Sequence, residues 1–208
     1  MNFTRQLFAG FAQWHGSAQC AANSQELILA AQAGDFEQVE RLLSSCNPNA
    51  KAKHTRTALM QAAMGGYGDV VTLLLTVCDA RAKDSDGMNA LMLAALFGDH
   101  RIAELLIPAS DANAQDSHGR SALMHAADLG MLEVARVLMP VSNARLKDSD
   151  GWTPLMFCAR AGSGETVELL LRVSDVKSLD NDGIDAAGHA RKYGHSRIAR
   201  LIEAYGSA

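Results

Sequence analysis

The chain has 208 residues, 48% of them hydrophobic and 20% charged, with a formal net charge of −4. That composition is ordinary for a globular domain. The interspersed acidic and basic residues form no basic stripe of the kind nucleic-acid binding uses, and no apolar run is long enough to span a membrane.

Residues 1–23 form an extension that precedes everything periodic. Its apolar stretch is broken by Gly10, Gln13 and His15, which makes a poor secretory signal, so the compartment expected is the cytoplasm. Phe3, Leu7, Phe11 and Trp14 are spaced at three and four and would share one helical face, although Gly10 weakens that helix. A helix covering the exposed side of the first repeat is the leading expectation. A docking or membrane-surface segment is the alternative.

From residue 24 onward one pattern returns six times at a spacing of 32 residues, with units at about 24–55, 56–87, 88–119, 120–151, 152–183 and 184–205. The glycines Gly34, Gly66, Gly98, Gly130, Gly162 and Gly194 keep its register. A period of this length marks stacked supersecondary units that bury their apolar faces only against neighbours. Units two to six each open on a residue able to cap a helix: Thr57, Asn89, Ser121, Thr153 and Asp185. Pro154 follows Thr153 at the first helical position, where a missing N–H costs nothing. Alanine pairs such as Ala62-Ala63 allow close helix approach, and the periodic glycine suits a left-handed C-cap.

A second, more hydrophobic helix follows, carrying Val70, Val71 and Leu74 in one unit and Ile102, Leu105 and Leu106 in the next. Pro108 and Pro140 fall just after it and stop it. The unit ends on a turn sequence: Asp84-Ser-Asp-Gly87, Asp116-Ser-His-Gly119, Asp148-Ser-Asp-Gly151 or Asp180-Asn-Asp-Gly183. These turns lack the further oxygen ligands and distal Glu of a calcium loop. In the sixth unit Arg191, Ala187 and Gly188 replace more apolar residues, as a polar C-terminal cap requires.

The four cysteines fall into the same frame. Cys46 and Cys78 share one repeat position, later filled by Ser110, Ser142 and Ser174, and Cys158 sits where other units have alanine. Both are small-residue slots, and no Cys-x-x-Cys or Cys/His cluster points to a metal or redox centre. No cofactor is expected. The seven histidines are scattered and none pairs with a Ser, Cys or carboxylate in a recurrent catalytic pattern; His189 with His195 reads as structural.

Gly151-Trp-Thr-Pro-Leu-Met-Phe-Cys-Ala-Arg-Ala-Gly162 resembles the ankyrin motif G-x-T-P-L-H-x-A-A-x-x-G, and the other units are similar. The chain departs from that motif in two ways. Met60, Met92, Met124 and Met156 replace its usual His, removing a polar link between repeats, and the period is one residue short of the family's, so the curvature is open. The resemblance implies an all-α solenoid of stacked helix pairs with short β-hairpin or turn fingers. It also implies a non-enzymatic module that holds a protein partner on a concave face made by the fingers and the exposed side of the first helix.

Subtracting the frame leaves Lys83, Met88, Leu96, Phe97, His118, Arg120, Asp128, Leu129, Trp152, Arg160, Lys192 and Tyr193 as candidate partner contacts, with Trp152 foremost. Packing of these side chains against the adjacent finger is the competing expectation. A monomer is expected, and the alternative function is an inhibitor or immunity-type protein that blocks a partner enzyme.

Overall fold

The computed structural model describes residues 18–51 and 56–207; the aromatic segment with Phe3, Leu7, Phe11 and Trp14, and the tip residue His54, lie outside them. Twelve α-helices and one 3-10 turn make up the regular structure of the described residues, and no strand forms among them. They pair as α1 (Ala18–Ala33) with α2 (Phe36–Leu43), α3 (Ala58–Gly65) with α4 (Gly68–Leu75), and α5 (Ala90–Phe97) with α6 (His100–Leu106). The later pairs are α7 (Ala122–Asp128) with α8 (Leu132–Leu138), α9 (Pro154–Ala161) with α10 (Gly164–Leu171), and α11 (Ala186–Lys192) with α12 (Ser196–Gly206). Pro108 sits in the 3-10 turn Ile107–Ala109 that terminates α6.

The ends of the first helices are fixed by the residues that predicted them. Thr57, Asn89, Ser121, Thr153 and Asp185 each accept the backbone N–H three residues on, at Met60, Met92, Met124, Met156 and Gly188. In three units the methionine answers: the Sδ atoms of Met60, Met124 and Met156 accept the N–H of Thr57, Ser121 and Thr153 at 3.4–3.5 Å. The residue that replaces the motif's histidine thus closes a weak capping box inside its own helix. All six periodic glycines have φ between 65° and 86°, the left-handed region that glycine enters at least cost.

Successive first helices pack on one another more extensively than successive second helices do, so the stack bends with the first helices on its concave side. The close approach comes from alanine: Ala58, Ala62, Ala63, Ala90, Ala94 and Ala95 are at most 1% exposed. Buried leucines such as Leu74, Leu106, Leu138 and Leu170 fill the layer between the two rows, each contributing about 2 kcal/mol of burial. A roof forms over each periodic glycine but the last. The residue 33 positions on covers it, so a Cβ at Gly34 would lie 2.5 Å from the Tyr67 ring and one at Gly162 would lie 2.5 Å from the His195 ring.

The fingers add a ladder along the stack. Lys51 Nζ donates to Lys83 O, Lys83 Nζ to Gln115 O, Gln115 Nε2 to Lys147 O and Lys147 Nζ to Leu179 O, at 2.7–2.9 Å. Backbone bonds from Ser117 N to Asp86 O, Ser149 N to His118 O and Asn181 N to Asp150 O join neighbouring fingers at 2.9–3.0 Å. One such bond per junction is too few for a strand, so the fingers are turns.

Both ends of the stack are polar. Where later units bury Ala58 or Ala90, the first carries exposed Glu26; where they bury Val70 or Ile102, it carries Gln38. Gln38 links Glu26 to Arg41 by side-chain hydrogen bonds. At the other end an Arg191–Glu203 pair spans α11 and α12. Helix α1 begins at Ala18, ahead of the boundary placed at residue 23, and is tied to the turn after α2 by Asn23 with Ser45 and by Ser24 with Asn47.

Candidate functional site

Each Asp-x-x-Gly finger is organised by its first carboxylate. Asp84 Oδ1 accepts the N–H groups of Asp86 and Met88, and Asp116, Asp148 and Asp180 do the same in their own fingers, at 2.8–3.0 Å. This local bonding is the turn chemistry of aspartate. It leaves Oδ2 pointing at the concave side, where a cationic or imidazole group meets it. The partners are Arg56 for Asp84 (3.1 Å), His125 for Asp116 (2.9 Å), Arg120 for Asp148 (3.6 Å) and His189 for Asp180 (2.7 Å).

Those partners come from two places in turn. Arg56 and Arg120 belong to the same unit as their aspartates, 28 residues upstream of them; His125 and His189 lie on the first helix of the following unit, 9 downstream. Where the upstream place is apolar, as at Met88 and Trp152, the helix supplies a histidine. Where it holds arginine, the helix supplies Leu93 or Phe157. The stack therefore alternates with a 64-residue period that the 32-residue register conceals.

Burial is the largest influence on His125 and lowers its pKa below the ordinary 6.5, against the opposing pull of the Asp116 carboxylate. At Asp180, burial pushes the carboxyl up. The N–H of Ile184, the His189 imidazole and the N–H of Asp182 together outweigh it and hold the pKa below the usual 3.8.

Units four to six bring several candidates together in one cluster. Arg160 pairs with Asp128, and its guanidinium lies 4.9 Å from the Trp152 ring and 5.3 Å from the Phe157 ring. Arg120 stands 4.8 Å over the other part of this assembly, on Phe157, with Asp128 at 3.8 Å. Trp152 packs 4.0 Å from His189 and 5.2 Å from Phe157, ring centre to ring centre. These are cation–π and tilted aromatic contacts that rigidify the face from α7 to α11. Trp152, Arg120, Asp128 and Arg160 are half-buried there and already engaged with one another.

The remaining candidates separate by exposure. Met88 is 8% exposed and belongs to the core, and Leu96 is half-buried against it. Lys83 is exposed, but its ammonium is the strut to Gln115. His118 is exposed at a finger tip, with its backbone joined to Asp116 and Ser149. Lys192 is exposed at the end of α11. Phe97, Leu129 and Tyr193 form a column at the ends of α5, α7 and α11, 53%, 47% and 48% exposed.

Phe157, His189, Asp148 and Asp180 complete the cluster and were assigned to architecture by sequence. The signal for them was the alternation of Arg/Met/Arg/Trp against Leu/His/Phe/His. Leu29, 55% exposed at the α1 place equivalent to Gln61 and His125, was also missed.

Among the described residues no group of three or more His, Cys, Asp or Glu side chains is arranged to hold a metal ion. Cys46, Cys78 and Cys158 are not joined in disulfides. Burial pushes Cys46 and Cys78 up to about 12 and Cys158 higher still, which disfavours the thiolate. At the equivalent serines, the Oγ atoms of Ser110, Ser142 and Ser174 are buried without a hydrogen-bond partner, so the slot suits a thiol better than a hydroxyl. A cavity of about 680 Å³ opens between the starts of α10 and α12, beside Glu165, Glu168, His195 and Arg197. The His195 imidazole there is held by Arg160 O at 3.0 Å.

A comparison with curated proteins finds no match to this chain. The family model described as Ankyrin repeats (3 copies) matches residues 27–116, 69–142, 92–180 and 123–207, overlapping spans that run through all six units. With capped helix pairs, left-handed glycines and turn fingers in register across those residues, the chain belongs to the ankyrin-repeat family.

Proposed function

We propose that this chain is a non-enzymatic protein-binding module whose concave face, formed by the first helices and the fingers, holds a protein partner. Ankyrin repeats generally mediate protein–protein interactions. The observation that carries the reading is the column of Phe97, Leu129 and Tyr193. These three large apolar side chains occupy one repeat position and each is about half exposed. Repeated exposure of that kind is characteristic of contact surfaces. The adjoining cluster of Arg120, Asp128, Trp152 and Arg160 supplies a rigid, polar-edged wall, and Lys83, Leu96, His118 and Lys192 frame it.

The test is capture of binding proteins by the wild-type chain and by two variants of matched surface change. Phe97→Asp/Leu129→Asp/Tyr193→Asp alters the concave column; Phe36→Asp/Leu105→Asp alters the second-helix side. Loss of the captured protein with the first variant and retention with the second supports the reading. Equal retention by both would show that binding lies elsewhere.

A further inference from the structure

We infer that the partner segment held on the concave column is a basic amphipathic α-helix that lies across the first helices. The inference rests on the proposed binding function and adds the chemistry of what is bound. The spacing of the apolar column sets the shape of the occupant, and the uncommitted charge beside it sets the sign.

Phe97, Leu129, Ala161 and Tyr193 fill one place in units three to six, and all four are exposed. The helices that carry them are neighbours about 8–10 Å apart, so the row is about 24–30 Å long. An extended segment returns a side chain to the same face about every 7 Å and falls out of step with such a row. A helix returns one about every seven residues, roughly 10 Å on, and stays close to step with it over about 16–20 residues. Ala161 is the small member of the row, so a gap opens between Leu129 and Tyr193 that a large apolar side chain of the partner fills.

The fingertips run parallel to this row, with Arg120, Trp152 and Arg160 on the strip between. Asp86, Asp150 and Asp182 share one fingertip place; all three are exposed, and none enters an ion pair among the described residues. The cations around them are already committed. Arg56, Arg120 and Arg160 pair with other carboxylates, and Lys51, Lys83 and Lys147 each hold a carbonyl of the next finger. A partner flank of lysine or arginine therefore pairs with the three fingertip carboxylates, whereas an acidic flank is repelled and an apolar one strands them. Lys192, exposed at the end of α11, is the place for a carboxylate of the partner.

The test uses the full chain and two fluorescein-labelled synthetic helices of equal apolar content, with leucine at every seventh position and flanks of either lysine or glutamate. Fluorescence anisotropy should show saturable binding of the lysine helix and binding about ten-fold weaker for the glutamate helix. Asp86→Asn/Asp150→Asn/Asp182→Asn should remove that preference with the circular dichroism unchanged. Glu40→Gln/Glu165→Gln/Glu168→Gln makes the same change of net charge on the second helices and should keep it. Phe97→Asp/Leu129→Asp/Tyr193→Asp should abolish binding of the lysine helix. Equal binding of the two helices would overturn the inference, as would a preference that survives the fingertip change or is lost with the second-helix change. Absence of binding by both helices would overturn it too. The binding function is judged separately: a captured protein that is lost with the column variant, yet bound through an acidic or non-helical segment, would sink this inference and leave that function standing.

Discussion

At Gly162 two constraints meet on one missing atom. Its φ of 80° disfavours any Cβ, and the His195 ring lies where that Cβ would be, 2.5 Å away. Gly194 has the same backbone, with φ 86°, and nothing within 4 Å. Gly194→Ala should therefore cost only the backbone strain, about 1–2 kcal/mol, while Gly162→Ala costs measurably more because His195 must also move. Urea unfolding of the two variants separates the terms; equal losses would mean that the roof is soft.

His125 makes an equally local statement about pH. Burial holds its pKa below 6.5, so the unfolded chain takes up a proton that the folded chain resists. Its contribution is fully present above 6.5 and is lost as pH falls below that value towards the folded pKa. The groups facing it are Asp116, Arg120 and Asp128. His125→Gln, which installs the residue that the second unit carries at Gln61, should keep a donor for Asp116 and flatten the decline. Thermal unfolding at pH 7 and pH 5.5 measures it, and an unchanged slope would remove His125 as its source.

The element that matters is one finger with the first helix behind it. Its frame was legible in sequence because a 32-residue register superimposes like on like: the caps at Thr57 and Thr153, the left-handed glycines and the small slots at Cys46 and Cys158 all lie where the repeat put them. What register cannot show is which exposed-looking position is filled from a neighbouring unit. Trp152 stands out in sequence as a contact residue, yet in space it is wedged between His189, Phe157 and Arg160, contributed by two units. Lys83 likewise looked free, and its partner is a carbonyl 32 residues away.

These contacts lead to opposite expectations for two aromatic residues. Trp152→Ala should destabilise the chain by about 2 kcal/mol, since it removes a half-buried aromatic that holds a shared cluster together. Phe97→Ala, at a position 53% exposed, should change stability by no more than about 0.5 kcal/mol. Denaturant unfolding of both variants decides this, and a Trp152→Ala chain as stable as wild type would return Trp152 to the surface-contact set.

Across the whole molecule, polar ends and a continuous interior make a finite stack. The Glu26–Gln38–Arg41 bonds and the Arg191–Glu203 pair close it, and the lysine ladder runs between them. The surface proposed for recognition is the concave side. The central claim is that a partner seats there, and hydrogen–deuterium exchange of the chain alone and with its captured partner tests it directly. Protection should concentrate where α5, α7 and α11 end, around Phe97, Leu129 and Tyr193, and in the intervening fingers. Protection confined to α4, α6, α8 and α10 would contradict it.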